Sequence, residues 1–170
     1  MIILGLDPGS QTTGVAVIQV NGNRLTALHG EAIQLKTLAL PERLVKLEAT
    51  LLGLIDVHQP QVLVVEKVFH GVNVKSTLML GQVRGVVLLC AAKRQVPVEE
   101  YNPTEVKKAV VGFGRAEKQQ VQMMVKHLLN LPTIPTPHDI ADAYALAICH
   151  AHSYPMKMHG LNPFGKGRFS

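Results

Sequence analysis

Residues 2–23, IILGLDPGSQTTGVAVIQVNGN, decide the fold. The first six, IILGLD, form a short apolar run that ends in an acid, which is typical of a buried strand. GVAVIQV is rich in β-branched residues and predicts a second strand. The Asn21-Gly22-Asn23 sequence then favours a tight turn into a third strand near Arg24. The chain is therefore predicted to open as an antiparallel meander.

The period of the apolar residues changes after Pro41. Leu44, Leu47, Leu51 and Leu54 recur at helical spacing. VLVVE is a second apolar strand, and a strand-helix-strand sequence predicts a crossover that makes it parallel to a strand of the meander. Further elements are predicted as helices over 75–94, 104–111, 117–131 and 137–152 and a short strand over 97–101. We predict an α/β fold whose mixed five-stranded sheet, in the order βββαβαβ and then helices, has helices on both faces.

The composition limits the classes of protein that remain. A chain of 170 residues has the length of one domain, and 47% hydrophobic against 17% charged residues excludes a disordered or fibrous chain. The net charge of +5 and pI of about 9.4 favour a polyanionic partner. Residues 1–153 are predicted to form the domain. Residues 154–170, which are basic and contain several Gly and Pro, are predicted to be a disordered tail.

Several features favour a cytoplasmic location. The N-terminal MIILGLD lacks the basic region of a signal peptide. The apolar stretch Leu78–Ala92 is interrupted by Gln82 and Arg84, so we do not expect it to span a membrane. Cys90 and Cys149 lie in apolar helical segments without a partnering motif, which predicts two buried free thiols in a reducing compartment.

Two acids occupy equivalent positions in the predicted sheet. Asp7 and Glu66 each end a strand that is otherwise apolar. Open α/β sheets place their ligand sites at these carboxyl ends. A carboxylate there is costly unless it is paired, hydrogen-bonded or bound to a metal. Each acid alone is explained equally well as the point where its strand leaves the core, but their shared placement favours function.

A second pair of acids, Asp139 and Asp142, lies three residues apart on one face of the last predicted helix. Thr136-Pro137-His138-Asp139 resembles a capping box, so Asp139 is also explained as a helix cap. Asp142 has no such explanation, because it interrupts the small, apolar sequence IADAYALAI. If all four acids converge, their oxygens suit Mg²⁺ or Mn²⁺ rather than Zn²⁺. Two such ions would suit phosphodiester hydrolysis.

Four segments resemble, in the same order, the motifs of RuvC-type Holliday junction resolvases: LGLDPGSQTTG, VVEKVFHGVNVKSTLMLGQVRG, NPTEVKKAVVGFGRAEKQQV and DIADAYALAICHAH. The resemblance extends to about His152. It implies an RNase H-like fold, a homodimer and a Mg²⁺-dependent endodeoxyribonuclease with two ions per subunit, for which Mn²⁺ substitutes. It also implies that four-way DNA junctions are cut symmetrically in recombination and repair, leaving 5′-phosphate and 3′-hydroxyl ends, together with a branch-migration motor.

The resemblance also assigns roles to individual residues. Asp7, Glu66, Asp139 and Asp142 match the catalytic, metal-binding acids. Some family members have His at the third position, and here His138 lies one residue earlier, but the intact spacing to Asp142 favours Asp139. The DNA-binding residues implied are Phe69, Lys107 and Lys118: Phe69 matches an aromatic that stacks on unpaired bases, and the two lysines match residues that handle the phosphate backbone. Gly81 and Gly85 form a GxxxG sequence, which suggests close packing at the dimer contact.

Three other functions remain as alternatives. An actin-like ATPase or kinase has a similar acid and Gly-rich turn in its first hairpin, but it needs a second nucleotide-binding half for which this chain has no room. A related nuclease of the same fold that processes RNA is a second alternative. A catalytically silent junction-binding module is the third, although the presence of all four acids argues against it.

Overall fold

The computed structural model describes residues 1–67, 74–158, 160 and 163–164. Its elements confirm the predicted order of strands and helices. In chain order they are β1 (Ile2–Asp7), β2 (Thr12–Asn21), β3 (Arg24–Gln34), α1 (Leu40–His58), β4 (Val62–Glu66), α2 (Val74–Lys93), β5 (Val98–Tyr101), α3 (Pro103–Val111), α4 (Lys118–Leu128) and α5 (His138–Met158).

The five strands form one sheet in the order β3-β2-β1-β4-β5. β1 pairs antiparallel with β2 and parallel with β4, and β5 extends the parallel part. Leu6 of β1 is in register with Val65 of β4. The acid that follows each of these residues therefore stands at the same edge of the sheet, where the parallel strands end.

Helices cover both faces of the sheet, as predicted, and each face has its own core. α1 and α2 pack on one face, where Leu47, Leu51 and Val83 meet Leu4 and Leu63. The other face carries α3, α4 and α5. Because successive strand residues point to opposite faces, the odd-numbered residues of β1 and the even-numbered residues of β4 belong to this second core.

Helix α5 lies against β1 and β2 with backbone in contact with backbone. A Cβ atom at Gly5 would stand 2.2 Å from the carbonyl oxygen of Ala143, and one at Gly14 would stand 1.9 Å from that of Asp139. Real Cβ atoms do not approach so closely, so both positions require glycine. The start of α5 is thereby fixed directly above the carboxyl end of β1.

Both ends of α5 differ from the prediction. The helix begins at His138, so Thr136 and Pro137 precede it and Pro137 is not its first residue. It continues to Met158, so residues 154–158 are helical and not part of a disordered tail. Tertiary contacts explain the extension, since the rings of His150 and Tyr154 lie 5.3 Å apart and Ser153 is buried. The rest of the predicted tail lies outside the described residues, except 160 and 163–164.

Helix α2 is apolar on two sides. Val83, Val87, Cys90 and Ala91 are buried in the core, and Cys90 and Cys149 are both free thiols, as predicted. By length and composition, Ser76–Lys93 is the one helical segment of the described residues that would suffice to cross a membrane, and 22% of it is buried inside the protein. A single such helix is weak support for a membrane span, and this one packs against the sheet of a folded domain.

Substitution of Gly5 by Ala tests the close approach of α5. The methyl group collides with the Ala143 carbonyl, so we expect a loss of about 1–3 kcal/mol in the free energy of unfolding. The measurement is urea denaturation followed by circular dichroism. The control is Gly53→Ala in α1, where the added Cβ has open space and helix propensity predicts a gain of up to about 1 kcal/mol. Equal effects of the two substitutions would contradict the contact.

Candidate active site

Asp7 and Glu66 lie at the ends of two neighbouring parallel strands and on the same face of the sheet. Each follows buried residues of its strand, and each is itself only partly buried. The alternation of side chains along a strand directs both carboxylates to the face that α5 covers. The strand patterns predicted equivalent positions for the two acids, and the sheet register places both at one edge.

Asp142 and Asp139 come from the first two turns of α5, where negative charge is favoured by the helix dipole. The contact of Gly14 with the backbone of Asp139 fixes this end of the helix beside β1 and β2. His138 points elsewhere: the side-chain amide of Gln122 donates to its Nδ1 at 2.5 Å. Because that hydrogen bond engages His138 with α4, it favours Asp139 over His138 as the residue that faces the other acids.

The electrostatics of Asp7 show that the four acids share one environment. Burial raises the pKa of Asp7 to about 7, and the carboxylates of Asp142, Glu66 and Asp139 contribute to the rise. Burial also raises the pKa of Glu66, with a further contribution from Asp142. Repulsion among the carboxylates thus favours protons or other cations at this site.

Lys118, the first residue of α4, supplies one such cation. Its Nζ lies 2.8 Å from Oδ2 of Asp142, and this hydrogen bond raises the pKa of the lysine. The sequence suggested that Lys118 contacts phosphate, but not that it pairs with an acid of the site. Its side chain is 59% exposed, so it is also accessible to a ligand in the cleft.

The acids open into a cleft of about 250 Å³. Its walls come from β1, β4 and α3–α5, and they include Asp7, Glu66, Pro103, Lys107, Lys118, Val121, Asp142 and Leu146. Lys107, for which the family resemblance implied contact with DNA, therefore lines the same cleft as the acids. Asp139 acts on Asp7 through its charge but does not line this cleft. Phe69 lies outside the described residues.

The donor set fits a hard divalent cation in its chemistry, because all four candidate ligands are carboxylates. Burial and mutual repulsion also make cation binding favourable for Asp7 and Glu66. Within the described parts of the chain, however, no three His, Cys, Asp or Glu side chains form a ready-made metal site. A cation at these acids must also share Asp142 with the ammonium group of Lys118.

A second cleft of about 290 Å³ adjoins the first, since both are lined by Asp7, Glu66 and Pro103. Lys67 and Arg84 are the basic residues that line this second cleft. The sequence showed Arg84 only as a charge within an apolar run. Nothing in the pattern indicated that α2 would bring this residue to the end of β4.

An antiparallel meander joined to two parallel strands, with helices on both faces and acids from β1, β4 and the last helix at one edge, defines an RNase H-like fold. The family model "Crossover junction endodeoxyribonuclease RuvC" matches residues 3–150. The chain belongs to this family of crossover junction endodeoxyribonucleases.

Relatives and solved structures agree with the family assignment. The RuvC proteins of Desulforamulus reducens and Heliobacterium modesticaldum are 48% and 49% identical over 152 and 154 residues, which is 89% and 90% of this chain and 93% and 95% of theirs. The structure of Thermus thermophilus RuvC in complex with a Holliday junction substrate superimposes with a TM-score of 0.88 at 33% identity. That match covers 92% of this chain and 96% of that one.

The raised pKa of Asp7 predicts a pH-dependent effect of Asp7→Asn on the metal-free protein. A folded-state pKa of about 7 against the ordinary 3.8 means that ionisation of Asp7 destabilises the fold. The penalty is absent well below pH 3.8, grows as pH rises and is complete above about pH 7. We therefore expect Asp7→Asn to raise the thermal midpoint in the presence of EDTA, increasingly from pH 4 to 7 and constantly above.

Asp56→Asn is the matched control. Asp56 is an exposed acid whose pKa is lowered by its hydrogen bond from Arg94. Its loss should lower the thermal midpoint slightly above pH 4, because a stabilising charge is removed. If the difference in thermal midpoint between Asp7→Asn and the wild type does not change from pH 4 to 7, the result would contradict the acid cluster.

Proposed function

We propose that the protein resolves four-way DNA junctions by paired symmetric nicks, with Asp7, Glu66, Asp139 and Asp142 as its catalytic acids. The observation that carries the proposal is the convergence of carboxylates from β1, β4 and α5 on one open cleft that also contains two lysines. An open, basic-rimmed cleft suits a polymeric phosphodiester better than a small enclosed ligand. The family membership supports DNA as the polymer.

In the proposed reaction the four acids would hold two Mg²⁺ ions, for which Mn²⁺ would substitute. Bound there, the ions would supply Lewis acidity to the scissile phosphate and to the attacking water. Lys107 lies in the cleft wall and binds a phosphate of the cut strand. When DNA enters, the ammonium group of Lys118 exchanges the Asp142 carboxylate for a phosphate oxygen, because either anion can accept its hydrogen bond. The products carry 5′-phosphate and 3′-hydroxyl ends.

Two symmetric nicks require two copies of the site related by a two-fold axis. The exposed side of α2 suits this contact. Val74, Leu78, Leu88 and Leu89 are exposed, and a Cβ at Gly81 or Gly85 would meet no atom within 4 Å. These residues recur on one stripe of the helix, opposite the buried stripe. We propose this apolar stripe as the homodimer interface, because a solvated stripe of this kind is unfavourable.

The surroundings of the reaction are proposed from the same family relationship. A Holliday junction substrate is bound by Thermus thermophilus RuvC, and we propose the same substrate here. Phe69 is proposed to stack on unpaired bases at the junction centre, and a branch-migration motor to deliver the junction. The two free thiols are compatible with the proposed cytoplasmic location.

Neutralising one acid should abolish cutting without abolishing binding. We expect Asp142→Asn or Glu66→Gln to lower the rate of junction cleavage in Mg²⁺ by at least 100-fold, because a ligand charge is lost while the DNA-binding lysines remain. Cleavage of a synthetic four-way junction and binding by gel shift are the two measurements. The matched control is Glu48→Gln on α1, which pairs with Lys93 and lines neither cleft, so it should cut at the wild-type rate.

Linear duplex DNA and a four-way RNA junction complete the test. Equal cleavage of duplex and junction would contradict the resolvase function and leave a general nuclease. Preference for the RNA junction would instead favour the RNA-processing alternative.

Introducing charge on the stripe tests the dimer. Leu89→Glu places a carboxylate in the proposed interface twice, once per subunit, and removes about 1.5 kcal/mol of apolar burial on each side. We therefore expect the dimer dissociation constant to rise by about 100-fold in analytical ultracentrifugation, together with loss of paired nicks. Val57→Glu on α1 is the control, because Val57 is 77% exposed on another helix. A dimer of Leu89→Glu as stable as that of the wild type would place the interface elsewhere.

A further inference from the structure

Arg84 links three elements next to the acids. From α2, its Nη1 donates to the backbone carbonyl oxygen of Glu66 at 3.0 Å, and its Nη2 forms an ion pair with Glu100 of β5. The side chain is only 15% exposed. The guanidinium therefore joins the end of β4, the middle of β5 and the third turn of α2 through two hydrogen bonds.

Burial of the Arg84 guanidinium costs hydration, and its hydrogen bonds to Glu66 and Glu100 offset this cost. An arginine that is largely buried loses hydration, and it is retained only where its donors are used. The Glu66 carbonyl belongs to the last residue of β4, and the N–H of the next residue, Lys67, donates the last hydrogen bond of this ladder to the carbonyl of Tyr101. Without Arg84, the backbone at Glu66 would lose the hydrogen bond that fixes its orientation from the α2 side.

We propose that Arg84 is a positioning residue that fixes the carboxyl end of β4 against α2 and thereby directs the Glu66 carboxylate into the cleft. The proposal rests on the function proposed above, in which Glu66 is a ligand of the metal ions. The rigid guanidinium fork suits this role, because it serves two acceptors from one fixed plane. A lysine ammonium cannot reproduce that geometry.

The location of Arg84 on α2 extends its role. It flanks the buried stripe of the helix, one residue from Gly85 on the exposed stripe. A shift of α2 at the proposed dimer contact would therefore displace the guanidinium that is hydrogen-bonded to the strand end carrying Glu66. Assembly of the dimer and alignment of the acid become connected by this contact.

Arg84 also lines the second cleft, so contact with a DNA phosphate is the competing role. The two roles predict different measurements. A positioning residue acts on metal binding and on the cleavage step. A phosphate ligand acts on junction affinity and on its salt dependence, where loss of one contact lowers the slope by about one.

The experiment compares Arg84→Met with Arg94→Met in the full-length protein. Arg94 lies just beyond the end of α2 and pairs with Asp56 of α1, which precedes the start of β4, whereas Glu66 ends that strand, so Arg94 is the matched control. Mn²⁺ affinity without DNA is measured by electron paramagnetic resonance. Single-turnover cleavage at saturating junction and the junction Kd in EDTA are measured in parallel.

We expect Arg84→Met to weaken Mn²⁺ binding at least fivefold and to slow cleavage at least tenfold, with a junction Kd within threefold of wild type. Arg94→Met should stay within twofold in all three measurements. Arg84→Lys should recover only part of the loss. Glu100→Gln, which keeps the Glu66 contact, should be affected less than Arg84→Met. If Arg84→Met fails to fold, the same three measurements are made on Arg84→Lys and Glu100→Gln. A loss of Mn²⁺ affinity and cleavage rate then supports the positioning role, and a loss of junction affinity alone contradicts it.

Two results would overturn the proposal. One is wild-type Mn²⁺ affinity and cleavage in Arg84→Met. The other is a raised junction Kd with a smaller salt slope and unchanged Mn²⁺ affinity, which would make Arg84 a phosphate ligand. A wild-type protein that cuts no junction would instead overturn the proposed function. The two failures are distinguishable, because Mn²⁺ affinity is measured without DNA.

Discussion

The site depends on the distance between α5 and the sheet. Gly5 and Gly14 allow carbonyl groups of the helix to lie where a side chain would otherwise be, so helix and strands approach until their backbones touch. The small buried residues Ala143 and Ala147 complete this contact on the helix side. A helix at an ordinary packing distance would hold Asp142 farther from Asp7, and their mutual repulsion would be much weaker.

That close approach brings carboxylates together, and the fold neutralises their charge only in part. Burial and like charge raise the pKa of Asp7 to about 7, and one ammonium, from Lys118, compensates for one carboxylate. Since Lys118 is exposed, its ion pair contributes little to stability and is readily exchanged. The cluster therefore retains an excess of negative charge, which a hard cation would neutralise more fully than a lysine.

The sequence predicted those parts of the fold and site that local patterns determine. Apolar runs that end in an acid predicted the strand positions of Asp7 and Glu66, and helical spacing predicted that Asp139 and Asp142 share a face. The pairing of Lys118 with Asp142 could not be predicted, because it depends on how α4 packs beside α5. The extension of α5 beyond His152 was missed for a similar reason, since contacts of Tyr154 and Ser153 outweigh the unfavourable proline at position 155.

Helix α2 shows why a residue without a motif can matter for a site. One stripe of the helix is buried in the core and another is exposed and apolar, and the charge between them is the guanidinium of Arg84. An isolated charge in an apolar helix is costly unless its partners are fixed, and here they are a strand-end carbonyl and a carboxylate. The position of the helix therefore limits the position of Glu66. Any contact that moves α2 must also move this acid or break a partly buried hydrogen bond.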